Sequence, residues 1–229
     1  MAKRRILFGH QSVGDGVLAG AEQLAAQDPE AHLRVVPVDR LDQGPAIVHA
    51  QIGENGRPLS KIAHFDHLMA TAPGQWAEVA FFKLCYADFD AGTDASRLFE
   101  SYRIASETRS GQHPSVTFVH VTTPLTTVQG GLKGRLKSLG GSARWGELEN
   151  VKRNRYNELL RDRYAGIEPL FDLARLEAKG DSASFWHDGR RYECLATAFT
   201  DDGGHLNATG QINIATELMA FLAALPAAE

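Results

Sequence analysis

Short runs of apolar residues alternate along this chain with longer stretches in which apolar residues recur every three or four positions. Short apolar runs bounded by glycine, proline or polar residues are typical of buried β-strands. Five such runs predict strands at residues 4–9, 32–38, 79–84, 116–121 and 167–173. Proline cannot donate to a strand ladder, so Pro37 predicts that the second strand lies at the edge of the sheet.

The stretches with helical spacing follow the predicted strands and indicate amphipathic helices. The first carries Val17, Leu18 and Ala21 on one face and ends before Pro29. The others are predicted at about residues 59–70, 94–109, 148–164 and 208–222.

Strands that alternate with helices predict parallel βαβ units. The expected fold class is therefore α/β, a flavodoxin-like three-layer α/β/α sandwich with a five-stranded parallel sheet. Residues 44–56 are predicted to be a glycine-rich connection between elements. The chain shows no internal repeat and no linker, so residues 1–229 are predicted to form one domain.

Two segments interrupt the alternation. Residues 185–195 carry Asp188-Gly189 between aromatic-rich arms, which predicts a β-hairpin. Residues 126–146 are rich in glycine and basic residues and contain no predicted element. A segment of that length is either a lid or binding loop, or a solvated surface loop.

Composition limits the classes of partner. Of 229 residues, 43% are hydrophobic and 23% charged, and the net charge is −4, so neither nucleic acid nor a membrane is the expected partner. Cys85 and Cys194 have no zinc-binding spacing and are expected to be free thiols. The N-terminal apolar run is shorter than a signal-peptide core, so a cytoplasmic location is expected. The sequence leaves the oligomeric state open.

Two short motifs carry candidate chemistry. Ser12 follows the first strand between Gly9 and Gly14, where a sharp turn would leave its hydroxyl at the carboxyl edge of the sheet. Asp202 and His205 precede the last helix on a Gly-Gly loop. A carboxylate three residues before a histidine can hold one ring nitrogen while the other accepts a proton from a serine. Asp201 is an alternative partner with a less suitable spacing.

The segments FGHQSVGDGV and DDGGHLNATG resemble the first and last conserved blocks of the SGNH/GDSL hydrolases. The resemblance implies that Ser12 is the catalytic nucleophile and donates one oxyanion hydrogen bond through its N–H. It also implies that Asp202 and His205 complete a catalytic triad, and that no metal or other cofactor is needed.

This sequence departs from the family in two places. Gln11 stands where an aspartate usually precedes the serine, and residues 85–88 lack the asparagine that usually contributes to the oxyanion hole. The family's glycine N–H donor corresponds to Gly56 or Gly53, either of which could instead be a turn glycine. Lys83 has two interpretations. It could be a cationic group that stabilises the oxyanion or binds a substrate carboxylate, or it could be a lysine on an exposed face.

Two further polar positions lie close to these motifs. Asn55 could supply a side-chain amide. His120 ends the fourth predicted strand and is a weaker candidate for contact with substrate.

The sequence therefore predicts a serine hydrolase that cleaves a small-molecule ester, an acyl or acetyl ester of a carbohydrate or lipid among them, through an acyl-serine intermediate. The alternative is a non-catalytic ligand-binding protein on the same scaffold. A phosphate or nucleotide binder that uses residues 9–16 is a third hypothesis, but this loop lacks the glycine spacing of known phosphate loops.

Overall fold

A computed structural model describes residues 4–27, 33–128, 144–180 and 183–226. In chain order, its strands and helices are β1 (Arg5–His10), α1 (Ser12–Gln27), β2 (Val35–Pro37), β3 (Ala46–Gln51), α2 (Pro58–Met69), α3 (Ala72–Trp76), β4 (Val79–Phe82), α4 (Ala95–Gln112), β5 (Thr117–Val121), α5 (Glu147–Tyr164), β6 (Leu170–Phe171), α6 (Leu173–Glu177), β7 (Ser184–His187), β8 (Arg190–Glu193) and α7 (Ala208–Ala224).

The central sheet is parallel and has the strand order β2-β3-β1-β4-β5-β6. It confirms the predicted α/β class and the edge position of the strand that contains Pro37. The predicted count of five strands is wrong, because β3 lies within the segment predicted to be a connection. β3 pairs with β1 along its full length, from Arg5↔Ala46 to His10↔Gln51.

Side chains that alternate along the central strands divide the core between two faces. Leu7 of β1 packs into the cluster formed with α2, α4 and α5, whereas Ile6 and Phe8 pack into the cluster formed with α1 and α7. This alternation produces the three layers expected for a sheet that is covered on both faces.

The peripheral elements also follow the sequence patterns. β7 and β8 form the predicted hairpin, with positive φ at both Asp188 and Gly189 as a type I′ turn requires. Asp94 caps α4 by accepting the N–H groups of Ser96 and Arg97. Cys85 and Cys194 are free, as predicted, and both are buried. Among the described residues, no helix is both long and apolar enough to cross a membrane. The predicted loop 126–146 lies mostly outside the described residues.

Candidate active site

The loop after β1 presents Ser12 as the first residue of α1, at the carboxyl edge of the sheet. A Cβ atom on Gly14 would lie 2.3 Å from the Cβ of His10, so this tight turn requires glycine. The Gln11 amide donates to the carbonyl oxygens of Ile52 and Gly53 at 2.9 and 3.1 Å. Gln11 therefore joins the serine loop to the loop that follows β3.

His205 connects Ser12 to Asp202 through its two ring nitrogens. Nδ1 lies 2.6 Å from Asp202 Oδ2, and Nε2 lies 3.2 Å from Ser12 Oγ. Because a carboxylate can only accept, Nδ1 carries the proton and Nε2 is left as the acceptor for the serine hydroxyl. The structure thus brings together all three residues of the predicted triad.

Asp202 is oriented by its own loop. Its Oδ1 accepts the backbone N–H groups of Gly204 and His205, both at 2.8 Å, and these bonds and the one to the His205 ring hold the pKa of Asp202 well below its usual range. Gly203 takes a φ of 91°, in the left-handed region that favours glycine. The alternative carboxylate, Asp201, accepts instead from the Asn207 side chain at 3.3 Å.

Tyr86 is a member of this site that the sequence did not indicate. Its hydroxyl lies 3.1 Å from His205 Nε2, the same nitrogen that faces Ser12. Tyr86 follows β4 in the segment where the family's asparagine is missing. The only sequence signal was its place directly after the strand end. Burial, followed by the nearby Cys85 and Asp202, raises the pKa of the Tyr86 hydroxyl, so it stays protonated at neutral pH.

The two glycines predicted as oxyanion donors use their N–H groups within the protein. The Gly53 N–H donates to His64 Nδ1 and the Gly56 N–H to Asp88 Oδ1, both at 3.0 Å. The Asn55 side-chain oxygen accepts from Lys61 at 3.0 Å. In this arrangement neither glycine N–H points freely towards Ser12, whereas the Asn55 amide nitrogen has no acceptor among the described residues.

Lys83 lies in the interior, and the prediction of an exposed face is wrong. Only 2% of the residue is exposed, and its Nζ lies 3.9 Å from Cys85 Sγ. Burial lowers its pKa. Lys83 directly follows β4, a central strand covered on both faces, so its side chain lies in the interior and not on a surface. No contact with Ser12, Asp202 or His205 supports the predicted donor role within the described residues.

A buried ion pair joins helix α2 to the turn that follows β4. Lys61 Nζ donates to both carboxylate oxygens of Asp88, at 2.6 and 2.7 Å, and both side chains are fully buried. Asp88 also accepts the N–H groups of Cys85 and Gly56. Asp88 therefore fixes both α2 and the loop that precedes it against the turn that contains Tyr86.

His120 lies away from these residues. It is buried, it stacks on Tyr164 with a ring separation of 3.5 Å, and its nitrogens lie 2.8 Å from the Tyr102 hydroxyl and 3.0 Å from Glu168. These contacts give it a place in the core, not at the candidate active site.

Solved structures with this architecture define its fold class. The chain is similar to a candidate acylhydrolase from Bacteroides fragilis, with 13% identity, a TM-score of 0.59 and coverage of 97% of this chain and 88% of the other. A GDSL-like lipase from Bacteroides thetaiotaomicron has 9% identity, a TM-score of 0.57 and coverage of 97% and 89%. The lipase Lip_vut3 from a goat rumen metagenome has 10% identity, a TM-score of 0.53 and coverage of 94% and 95%.

These similarities extend over nearly the whole chain, and the fold is that of the SGNH/GDSL hydrolases. No protein-family model and no curated protein matches the sequence. At these identities the comparison establishes the fold, while the chemistry has to be argued from the residues of the site.

Proposed function

We propose that this protein is a serine hydrolase that cleaves carboxylic esters of small molecules through an acyl-serine intermediate. The observation that carries the proposal is the continuous hydrogen-bonded chain from Ser12 through His205 to Asp202. The lipases and acylhydrolase with the same fold support ester hydrolysis as the reaction class. Acyl and acetyl esters of carbohydrates or lipids fall within the proposal.

In the first step, Ser12 Oγ attacks the ester carbonyl carbon and its proton passes to His205 Nε2. The carbonyl electrons move to oxygen, and the Ser12 N–H, one of the free N–H groups in the first turn of α1, donates to this oxyanion. Collapse of the intermediate expels the alcohol, which takes the proton from His205. Water then repeats the sequence on the acyl-serine and releases the acid.

The candidate active site is open to solvent, so a substrate can reach it directly. The His205 and Asp202 side chains are 48% and 57% exposed, so a substrate reaches them without an opening of the core. Trp145 is also largely exposed, and its ring packs against Gly203 in the loop that carries His205. Its flat apolar face is a suitable surface for an acyl chain or a sugar ring beside the nucleophile.

Labelling with a fluorophosphonate, followed by intact-mass analysis, tests the proposal. We expect one adduct per chain on the wild type and none on Ser12→Ala. Ser101→Ala is the matched control, because Ser101 lies on α4 and bonds only to the Arg97 carbonyl oxygen; it should label like the wild type. If the folded wild type does not react, the proposal fails and the ligand-binding alternative takes its place.

A further inference from the structure

Two hydroxyl groups share one acceptor in the candidate active site. Ser12 Oγ lies 3.2 Å and the Tyr86 hydroxyl 3.1 Å from His205 Nε2. Nδ1 keeps its proton and donates it in a hydrogen bond to Asp202, so Nε2 offers a single lone pair. Before reaction, the two hydroxyls therefore compete for this lone pair.

Transfer of the serine proton ends that competition. Once Nε2 has taken the proton from Ser12, the imidazolium can no longer accept a hydrogen bond from Tyr86. The Tyr86 O–H then needs another acceptor at the moment when the ester carbonyl oxygen becomes negative. A donor whose bond strengthens only as charge develops stabilises the transition state more than the substrate.

The Tyr86 ring is held in place for such a role. The Arg153 guanidinium donates to the Tyr86 carbonyl oxygen at 3.1 and 3.0 Å, and its carbon lies 5.9 Å from the ring centre. The ring packs at 75° to the His205 ring, and a Cβ on Gly204 would lie 3.1 Å from it. The hydroxyl can therefore turn its proton without movement of the ring.

Few other groups near Ser12 can donate a hydrogen bond to the oxyanion. The N–H groups of Gly53 and Gly56 are bound to His64 and Asp88. Besides the Ser12 N–H, the remaining candidates in the described part of the site are the Tyr86 hydroxyl and the Asn55 amide. Of these two side chains, only Tyr86 lies within hydrogen-bond distance of the Ser12–His205 pair.

We propose that the Tyr86 hydroxyl is the second oxyanion donor of this enzyme and replaces the asparagine that is missing from residues 85–88. The inference rests on the proposed ester hydrolysis by Ser12. In the step concerned, the Ser12 Oγ–carbon bond forms, the serine proton moves to His205 Nε2 and the carbonyl electron pair moves to oxygen. Tyr86 keeps its proton throughout and donates it in a hydrogen bond to that oxygen.

The test is Tyr86→Phe, assayed on a p-nitrophenyl ester that the wild type hydrolyses. Loss of one oxyanion donor lowers kcat by about 10²–10³, with KM close to that of the wild type. Affinity for a trifluoromethyl ketone, which forms an oxyanion on Ser12, should fall by a similar factor. The matched control is Tyr192→Phe, on hairpin strand β8, which should keep wild-type kcat.

Three results would overturn the inference. Tyr86→Phe could retain or exceed wild-type kcat, which would make Tyr86 a mere competitor of Ser12. The acidic limb of its pH–rate profile could shift, which would indicate that Tyr86 acts through His205. Asn55→Ala, in place of Tyr86→Phe, could lower kcat by about 10²–10³, which would assign the donor role to Asn55. If the wild type neither reacts with the fluorophosphonate nor hydrolyses the ester, the proposed function itself fails, and this inference fails with it.

Discussion

The Asp202 carboxylate accepts the Nδ1–H of His205 with one oxygen and two backbone N–H groups with the other. This arrangement fixes both the ring orientation and the tautomer that leaves Nε2 free to accept from Ser12. In Asp202→Asn the side chain keeps its shape, but its amide can donate to Nδ1 and favour the wrong tautomer. If the triad acts as proposed, we expect kcat to fall by about 10⁴, as it does when the triad aspartate of a serine protease is changed to asparagine.

Asp201→Asn is the matched control for this prediction, because Asp201 is adjacent in sequence and bonds to Asn207 instead of His205. It should leave kcat within about threefold of the wild type, as a surface change away from the chemistry does. Steady-state kinetics on one ester with both variants provides the measurement. Equal losses in the two variants would contradict the assigned role of Asp202.

For individual site residues, the sequence predicts those contacts that depend on short spacing along the chain. Asp202 and His205 are three residues apart on one loop, so their contact could be predicted. Tyr86 reaches His205 only because β4 and the last loop end at the same edge of the sheet, and no local pattern reports that. The hydrogen bonds of Gly53 and Gly56 likewise depend on His64 and Asp88, which other elements supply.

Helices α1 and α7 determine whether Ser12 and His205 meet, because one begins at the serine and the other follows the histidine loop. Gly20 of α1 lies against α7, where an added Cβ would be 2.4 Å from the Gln211 carbonyl oxygen. Gly20→Ala should therefore force the helices apart and lower the free energy of unfolding by about 1–3 kcal/mol. Urea denaturation measures this change.

Gly111→Ala is the control for the effect of alanine itself. Gly111 lies in the last turn of α4, and an added Cβ would meet no heavy atom within 4 Å beyond its own stretch of helix backbone. This variant should gain up to about 1 kcal/mol, because alanine favours the helix more than glycine does. If Gly20→Ala were as stable as Gly111→Ala, the close packing of α1 on α7 would be contradicted.

The amphipathic helices and five of the six strands of the central sheet could be predicted because their periodicity is local. β3 could not, since its apolar run, residues 46–48, is only three residues long and lies between Gly44 and Gly53 in a segment that looks like a loop. It is a strand because β1 and β2 pair with it on both sides. Such long-range pairing is absent from any short window of sequence.

At the scale of the whole molecule, several ionisable side chains are buried, and Glu177 is the one that mutation tests most directly. It is fully buried, its Oε2 accepts from the Leu125 N–H at 2.7 Å, and its Oε1 has no partner among the described residues. Burial raises the pKa of Glu177 to about 8. The folded protein therefore holds a proton that the unfolded chain releases near pH 4–5.

This difference makes stability depend on pH. Between about pH 5 and 8 the folded state binds more protons than the unfolded state at this position, so the free energy of unfolding falls as pH rises. Glu177→Gln cannot ionise and keeps an oxygen for Leu125. We expect its stability, relative to the wild type, to improve by on the order of a few kcal/mol from pH 5 to pH 8. Parallel pH dependence in the two proteins, from urea denaturation, would contradict this account.

The measurement that tests the central claim most directly is an acid-quenched reaction with p-nitrophenyl acetate, digested and mapped by mass spectrometry. We expect an acetyl group on Ser12 in the wild type, formed in step with the first release of p-nitrophenol, and none in Ser12→Ala. Release of p-nitrophenol by the wild type without an acetyl group on Ser12, or with the group on another residue, would contradict catalysis through an acyl-serine at this position.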